Sequence, residues 1–220
     1  MKEFEKLVKI VRTLRSKKGC AWDRAQKLGD LKNYLLEEVY ELLDVLKEGG
    51  IEKIKEELGD VFLILVFIAQ IFDEKKKFSI KDVLKKINTK LVTRHPHVFS
   101  SQKLKTKGDI LRYWVNEKAR TKRRETVYQR LPKSAPSLLL AELLFREIRS
   151  LSRDFDVKKI LERIKSKAEK LSVSKRKKEN LLGLLLEASK FSSLFKFNLE
   201  SLLRERVFQL AHKVKYRRDT

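Results

Sequence analysis

Three acids, Glu37, Glu38 and Glu41, sit together in a chain that carries 53 Lys and Arg against 30 Asp and Glu. Glu38 and Glu41 are three apart, so on a helix their carboxylates project from neighbouring positions of one face. A second set, Glu56, Glu57 and Asp60, repeats this arrangement after the Gly49-Gly50 pair. If both segments are helical, a turn that short makes them antiparallel neighbours, and residues equally far from the turn lie level. Glu41 and Glu57 meet that condition. The two acidic sets should then face each other across a hairpin.

Carboxylates gathered in this way repel one another, and partial burial adds a desolvation cost. A hard divalent cation with oxygen ligands removes both penalties, and Mg²⁺ or Mn²⁺ suits a site of carboxylates and water. The competing reading is a set of solvated helix acids paired with bases such as Lys53 and Lys55. Two level clusters in a protein of pI about 10.0 favour the cation.

The elements that must hold these acids read as helices. Leu35, Leu36, Val39, Leu42, Leu43 and Leu46 recur at helical spacing before Gly49-Gly50, which serves as a C-cap. Ile51, Ile54, Leu58, Val61, Phe62 and Leu65 begin the next helix, which becomes apolar all round as far as Phe72 and is expected to be buried. Leu7, Ile10, Val11 and Leu14 form an earlier stripe, ended by Lys17-Lys18-Gly19. Ser79-Ile80-Lys81-Asp82 is a capping-box start for a helix containing Val83, Leu84, Ile87 and Leu91, which Pro96 ends. A polar loop from Ser100 to Gly108, a helix around Trp114 and a proline-punctuated link from Leu131 to Pro136 follow. No stretch alternates as strands do, and 7 Gly and 3 Pro are too few for a sandwich or barrel. The fold class is all-α.

The second half repeats this plan weakly. Ile160, Leu161, Ile164, Ala168 and Leu171 form one stripe, Leu181 to Leu186 opens a strongly apolar helix, and Asn198 caps a last helix. The expected organisation is a tandem one, 1–125 and 126–220. Aligning the apolar patterns places Ser166, Lys167 and Lys170 where Glu37, Glu38 and Glu41 stand. Leu181 and Leu184 fall at the positions of Glu57 and Asp60, and Gln209 and Lys213 at those of Lys90 and Arg94. The second copy should bind no Mg²⁺.

Other classes are excluded or set aside. The one cysteine, Cys20, rules out a disulfide framework and a cysteine-based zinc site. The longest apolar run, Val61 to Ala69, is too short to span a membrane. The N-terminus carries acids early and lacks the apolar core of a signal peptide, so a cytoplasmic location is expected. The net charge of +23 is spread over both halves, with basic runs at helix ends or in loops. It reads first as solvated surface and second as attraction for polyanions, nucleic acid or phosphate-bearing small molecules. Trp22 reads as core packing. His95 and His97, with Pro96 between them and no third partner, read as a helix-ending turn.

The acidic residues sit within a longer series of motifs. Glu38-x-x-Glu41 followed by Glu57-x-x-Asp60 resembles the signature of the all-α nucleoside triphosphate pyrophosphohydrolases. More closely, the chain resembles their MazG branch. Gly19-Cys20-Ala21-Trp22-Asp23-Arg24-x-Gln26 is similar to that family's Gly-Cys-Pro-Trp-Asp-x-x-Gln segment. Tyr34 to Glu41, Glu56-Glu57-Leu58-Gly59-Asp60, Arg94-His95-Pro96-His97-Val98-Phe99 and Trp114-x-x-x-Lys118 are similarly close. Leu131-Pro132 to Ala141 is similar to its inter-repeat link. The likeness runs in order over about residues 5 to 145. Ala21 replaces the usual proline, and Lys27-Leu28 stands where Thr-His is usual.

The resemblance implies attack of water between the α and β phosphorus of an NTP, giving NMP and pyrophosphate. It implies Mg²⁺ on Glu38, Glu41, Glu57 and Asp60, with Glu37 as an outer acceptor or the base that orients water. Lys90 and Arg94 match the family's Lys-x-x-x-Arg and would bind phosphate, with Lys53 a further candidate. Trp114 would stack on the base while Lys118 reaches a phosphate. The expected partners are nucleoside triphosphates and a second copy of the chain, as a dimer, in a house-cleaning role against non-standard nucleotides. Two rivals remain: a non-catalytic basic helical module that binds nucleic acid or a protein, and a relative specialised for dUTP or phosphoribosyl-ATP.

Overall fold

A computed structural model describes residues 2–102, 104, 106–121, 126–149 and 155–213. The described residues form twelve α-helices and no strand. The chain separates into two compact units, Met1–Glu117 and Lys118–Thr220.

The first unit is built on α1 (Lys2–Leu14), α3 (Leu28–Glu48) and α4 (Ile51–Glu74). Val11 of α1, Leu31 of α3 and Ile64, Val66, Phe67 and Ile71 of α4 form its buried core. The C-terminal half of α4 is thus buried, as its apolar run requires, although Phe62 and Leu65 stay exposed. Gly49 and Gly50 have φ of 87° and 105°, a backbone open to glycine and strained for other residues, and this reverses the chain between α3 and α4. Asp30 accepts from the Lys27 backbone N–H at the start of α3, and Asp82 accepts from the Ser79 N–H at the start of α5 (Ile80–Arg94).

The Gly19–Gln26 segment, with α2 (Ala21–Ala25) inside it, is fastened to the far end of α4 through one arginine. Arg15, with a side chain only 7% exposed, makes a two-pronged pair with Glu74 at 2.7 and 2.8 Å. Its other nitrogen donates to the carbonyls of Asp23 and Gln26. Gly19 is required by contact: a Cβ there would lie 2.3 Å from the Leu14 carbonyl oxygen. Trp22 does not pack in the core. It is 60% exposed, with its ring 6.2 Å from that of Tyr34. The segment is held by backbone bonds and Arg15, which leaves the indole on the surface.

α5 packs on α4 and on the single turn α6 (Pro96–Phe99), yet every residue from Lys81 to Thr93 is exposed. α7 (Lys107–Thr121) follows the polar loop.

In the second unit α8 (Val127–Arg130) leads to α9 (Ser137–Ile148), which packs on α11 (Lys177–Phe195) and α12 (Leu199–Lys213). α10 (Val157–Val173) and α11 form a hairpin like that of α3 and α4. Asn198 accepts from the Ser201 N–H, the cap its position suggests. α9 is central to this packing although no sequence stripe singled it out. The interior here is polar: Glu142, Ser189, Ser192, Ser193 and Lys190 are buried beside Ile160. Arg146 pairs with Glu142, and the Lys190 ammonium lies over the rings of Phe155 and Phe145 at 4.8 and 5.9 Å.

Candidate metal centre

The antiparallel run of α3 and α4 places their acidic faces together. One carboxylate oxygen each from Glu38, Glu41 and Glu57 lies within 4.8 Å of the others. Glu38 and Glu57 are half-buried, Glu41 exposed. Burial first, and then the charges of Asp60, Glu41, Glu57 and Glu37, hold the Glu38 carboxyl above the ordinary range. Glu57 is pushed the same way, by desolvation first and then by Glu41 and Asp60, with a further contribution from a hydrogen bond with Glu41. Its Oε2 is buried without a hydrogen-bond partner.

Asp60 stands outside the trio but is half-buried beside it, close enough for its charge to act on both Glu38 and Glu57. Glu37 is exposed, at the rim. An orphaned carboxylate oxygen, two destabilised carboxylates and an all-oxygen donor set fit a hard divalent cation. Among the described residues neither His95 nor His97 belongs to a group that could close on an ion. His95 instead ends α5 and begins α6, the turn its place before Pro96 suggests.

The candidate phosphate and base ligands are spread over α4, α5 and α7. Lys53 is exposed in the first turn of α4. Lys90 and Arg94 sit one turn apart on α5; Lys90 borders a groove of about 510 Å³ with Phe78, Val83 and Ile87, and Arg94 is the half-buried last residue of the helix. Trp114 is 40% exposed, and its indole N–H donates to the Arg94 carbonyl oxygen at 2.8 Å. The Lys118 side chain lies outside the described residues. Sequence reasoning missed the bond between Trp114 and the Arg94 backbone, and that between the Tyr113 hydroxyl and the Thr93 carbonyl at 3.3 Å. Both cross a polar loop that carries no periodicity, so no spacing announces them.

A family model described as the MazG nucleotide pyrophosphohydrolase domain matches residues 26–99, the stretch holding both acidic sets and α5. The nucleoside triphosphate pyrophosphohydrolase/pyrophosphatase MazG of Thermotoga maritima is 36% identical over 208 residues, covering 92% of this chain and 80% of the relative. The chain belongs to the MazG family. It is thereby a nucleotide pyrophosphohydrolase, a hydrolase by class. The nucleoside triphosphate pyrophosphohydrolase of Escherichia coli K12 is 30% identical over 201 residues, 86% of this chain and 76% of that protein. An uncharacterized Bacillus subtilis protein, YabN, is 40% identical over 144 residues, 64% of this chain and 29% of its own length. The matched stretch includes α3 and α4, the two helices whose carboxylates converge.

Proposed function

We propose that this MazG protein hydrolyses nucleoside triphosphates to NMP and pyrophosphate, with Mg²⁺ or Mn²⁺ held by Glu38, Glu41, Glu57 and Asp60. The observation that carries the reading is the meeting of three carboxylates within 4.8 Å in a protein of net charge +23. A bound cation would offset the desolvation and mutual repulsion of the acids gathered there. When bound, the ion supplies positive charge beside the triphosphate and makes a neighbouring water more acidic.

The protein's own groups do the rest. Glu37, exposed at the rim, orients the attacking water and takes its proton. Lys90 and Arg94, one turn apart, draw the remaining phosphate charge, with Lys53 and Lys118 as further cations. Trp114 offers its exposed face to the base. The second unit contributes no metal ligand. In its α10–α11 hairpin the Lys167 side chain lies across Gly183, and Arg163 pairs with Glu187 at 3.6 Å.

Self-association belongs to the same proposal. Leu36, Leu43 and Leu46 of α3 and Leu58, Phe62 and Leu65 of α4 are all exposed, apolar surface that a second copy would cover. The favoured assembly is a dimer, acting in the cytoplasm on non-standard nucleotides. No helix among the described residues is long and apolar enough to cross a membrane.

Product identity is the test. Each NTP and dNTP is incubated with the purified protein, with Mg²⁺, with Mn²⁺ or with EDTA, and NMP, NDP, pyrophosphate and phosphate are resolved. NMP with pyrophosphate, abolished by EDTA, is the expected result. No turnover with either metal would overturn the proposal and leave the polyanion-binding module in its place.

A further inference from the structure

α5 carries the two proposed phosphate ligands, yet little packing holds it. Its residues from Lys81 to Thr93 are all exposed, and the last carbonyls of a helix have no partners within it. Here all four are satisfied. The Leu91 carbonyl accepts from His95 Nδ1 at 2.7 Å, and that of Val92 accepts from the His95 backbone N–H at 3.2 Å. The Thr93 carbonyl accepts from the Tyr113 hydroxyl, and that of Arg94 from the Trp114 indole at 2.8 Å. The first two bonds are local. The last two come from α7 and tie it to Thr93 and to Arg94, the latter one of the two proposed phosphate ligands. The His95 ring, its Nδ1–H fixed on Leu91, packs at right angles to the indole with centroids 5.1 Å apart and so holds the ring in register.

We propose that Trp114 is a positioning residue for Arg94, clamping the end of α5 to α7 through its indole N–H, in addition to presenting a face to the base. The inference rests on the pyrophosphohydrolase reading. A guanidinium on a weakly packed helix end pairs with phosphate productively only when its backbone is fixed, and small displacements of such a group are costly in rate. The indole meets this need with a donor that phenylalanine lacks, while the residue as a whole remains 40% exposed.

Clamping and stacking separate with a ligand that has no base. Inorganic tripolyphosphate presents the phosphates alone, and its binding with Mg²⁺ is read by calorimetry independently of turnover. Trp114→Phe keeps an aromatic face and removes the N–H. The expected result is about a tenfold weakening of tripolyphosphate binding, and a fall of similar size in kcat/KM for every NTP whatever its base. Tyr113→Phe, which touches neither base nor phosphate, should weaken tripolyphosphate in the same way by about threefold. In an Arg94→Met background, Trp114→Phe should weaken tripolyphosphate no further, because the group being positioned is gone. Unchanged tripolyphosphate binding in Trp114→Phe, with losses that depend on the base, would overturn the clamp and leave stacking alone. If Trp114→Phe melts early, Tyr113→Phe decides: no effect on tripolyphosphate refutes the clamp. A wild-type protein that turns over no NTP refutes the pyrophosphohydrolase reading instead, a separate outcome.

Discussion

Glu41 and Glu57, on opposite sides of the Gly49-Gly50 turn, each bring a carboxylate oxygen within 4.8 Å of the other and of Glu38. Desolvation first, and then the closeness of Glu41, raise the Glu57 carboxyl above its ordinary range, and the Glu57 Oε2 is buried without a partner. The protein therefore maintains an electrostatically unfavourable arrangement at one place on its surface. Glu41→Gln or Asp60→Asn should lower NTP hydrolysis by about 100-fold or more, with the helical circular-dichroism spectrum unchanged. Full activity in both variants would remove the acids from the site.

Cation binding should be visible in stability. Ions that bind the folded state alone raise its melting temperature by mass action. Mg²⁺ should raise the melting temperature of the wild type and EDTA should reverse it. Glu57→Gln should melt higher than the wild type without metal, since one repelling charge is gone, and should lose most of the response to Mg²⁺. Scanning calorimetry at several Mg²⁺ concentrations checks both expectations.

The pair between Arg15 and Glu74 predicts a dependence on acid. The two bonds from Arg15 hold the Glu74 carboxyl below its ordinary value of 4.5. A depressed folded-state value stabilises the protein above the unfolded value, and that contribution disappears as pH falls from 4.5 through the lower folded one. Glu74→Gln should cost about 1–2 kcal/mol at neutral pH, the carboxylate being 35% exposed and its partner buried. In urea melts its deficit relative to wild type should shrink as the solution is acidified. A constant deficit would show that the charge is irrelevant.

The second unit supplies a contrast. Lys170 is exposed on α10, and the Lys167 stem lies on Gly183. Lys170→Glu and Lys167→Met should leave kcat/KM for any NTP within about twofold of wild type, because no substrate group is expected there. If either silences the protein as fully as Glu41→Gln, activity does not reside in the first unit alone.

Association is open to a direct measurement. Replacing Leu43 and Phe62, both exposed on the α3–α4 face, by lysine should shift the protein to monomer in light scattering. The mechanism is burial of unpaired charge at the contact. An unchanged mass would place the interface elsewhere, or show that the wild type is monomeric already.

The sequence by itself determined the helices and the acidic face. A hydrophobic stripe and a capping residue act within a few turns of chain, so Ser79 with Asp82, Asn198 and Gly49-Gly50 were legible as boundaries. The level meeting of Glu41 with Glu57 was legible too, because a two-glycine turn leaves an antiparallel pair of helices almost no choice of register. Tertiary structure alone decided what depends on contacts between distant segments. Trp22, apolar and expected inside, lies on the surface because Arg15 and backbone bonds hold its segment without it. The polar interior around Glu142 and Lys190 carries no helical stripe, since ion pairs and ring faces compensate those charges one by one. The bond from Trp114 to the Arg94 carbonyl crosses an aperiodic loop. Spacing along a chain records neighbours on one helix; it does not record which indole will reach which carbonyl once the helices have packed.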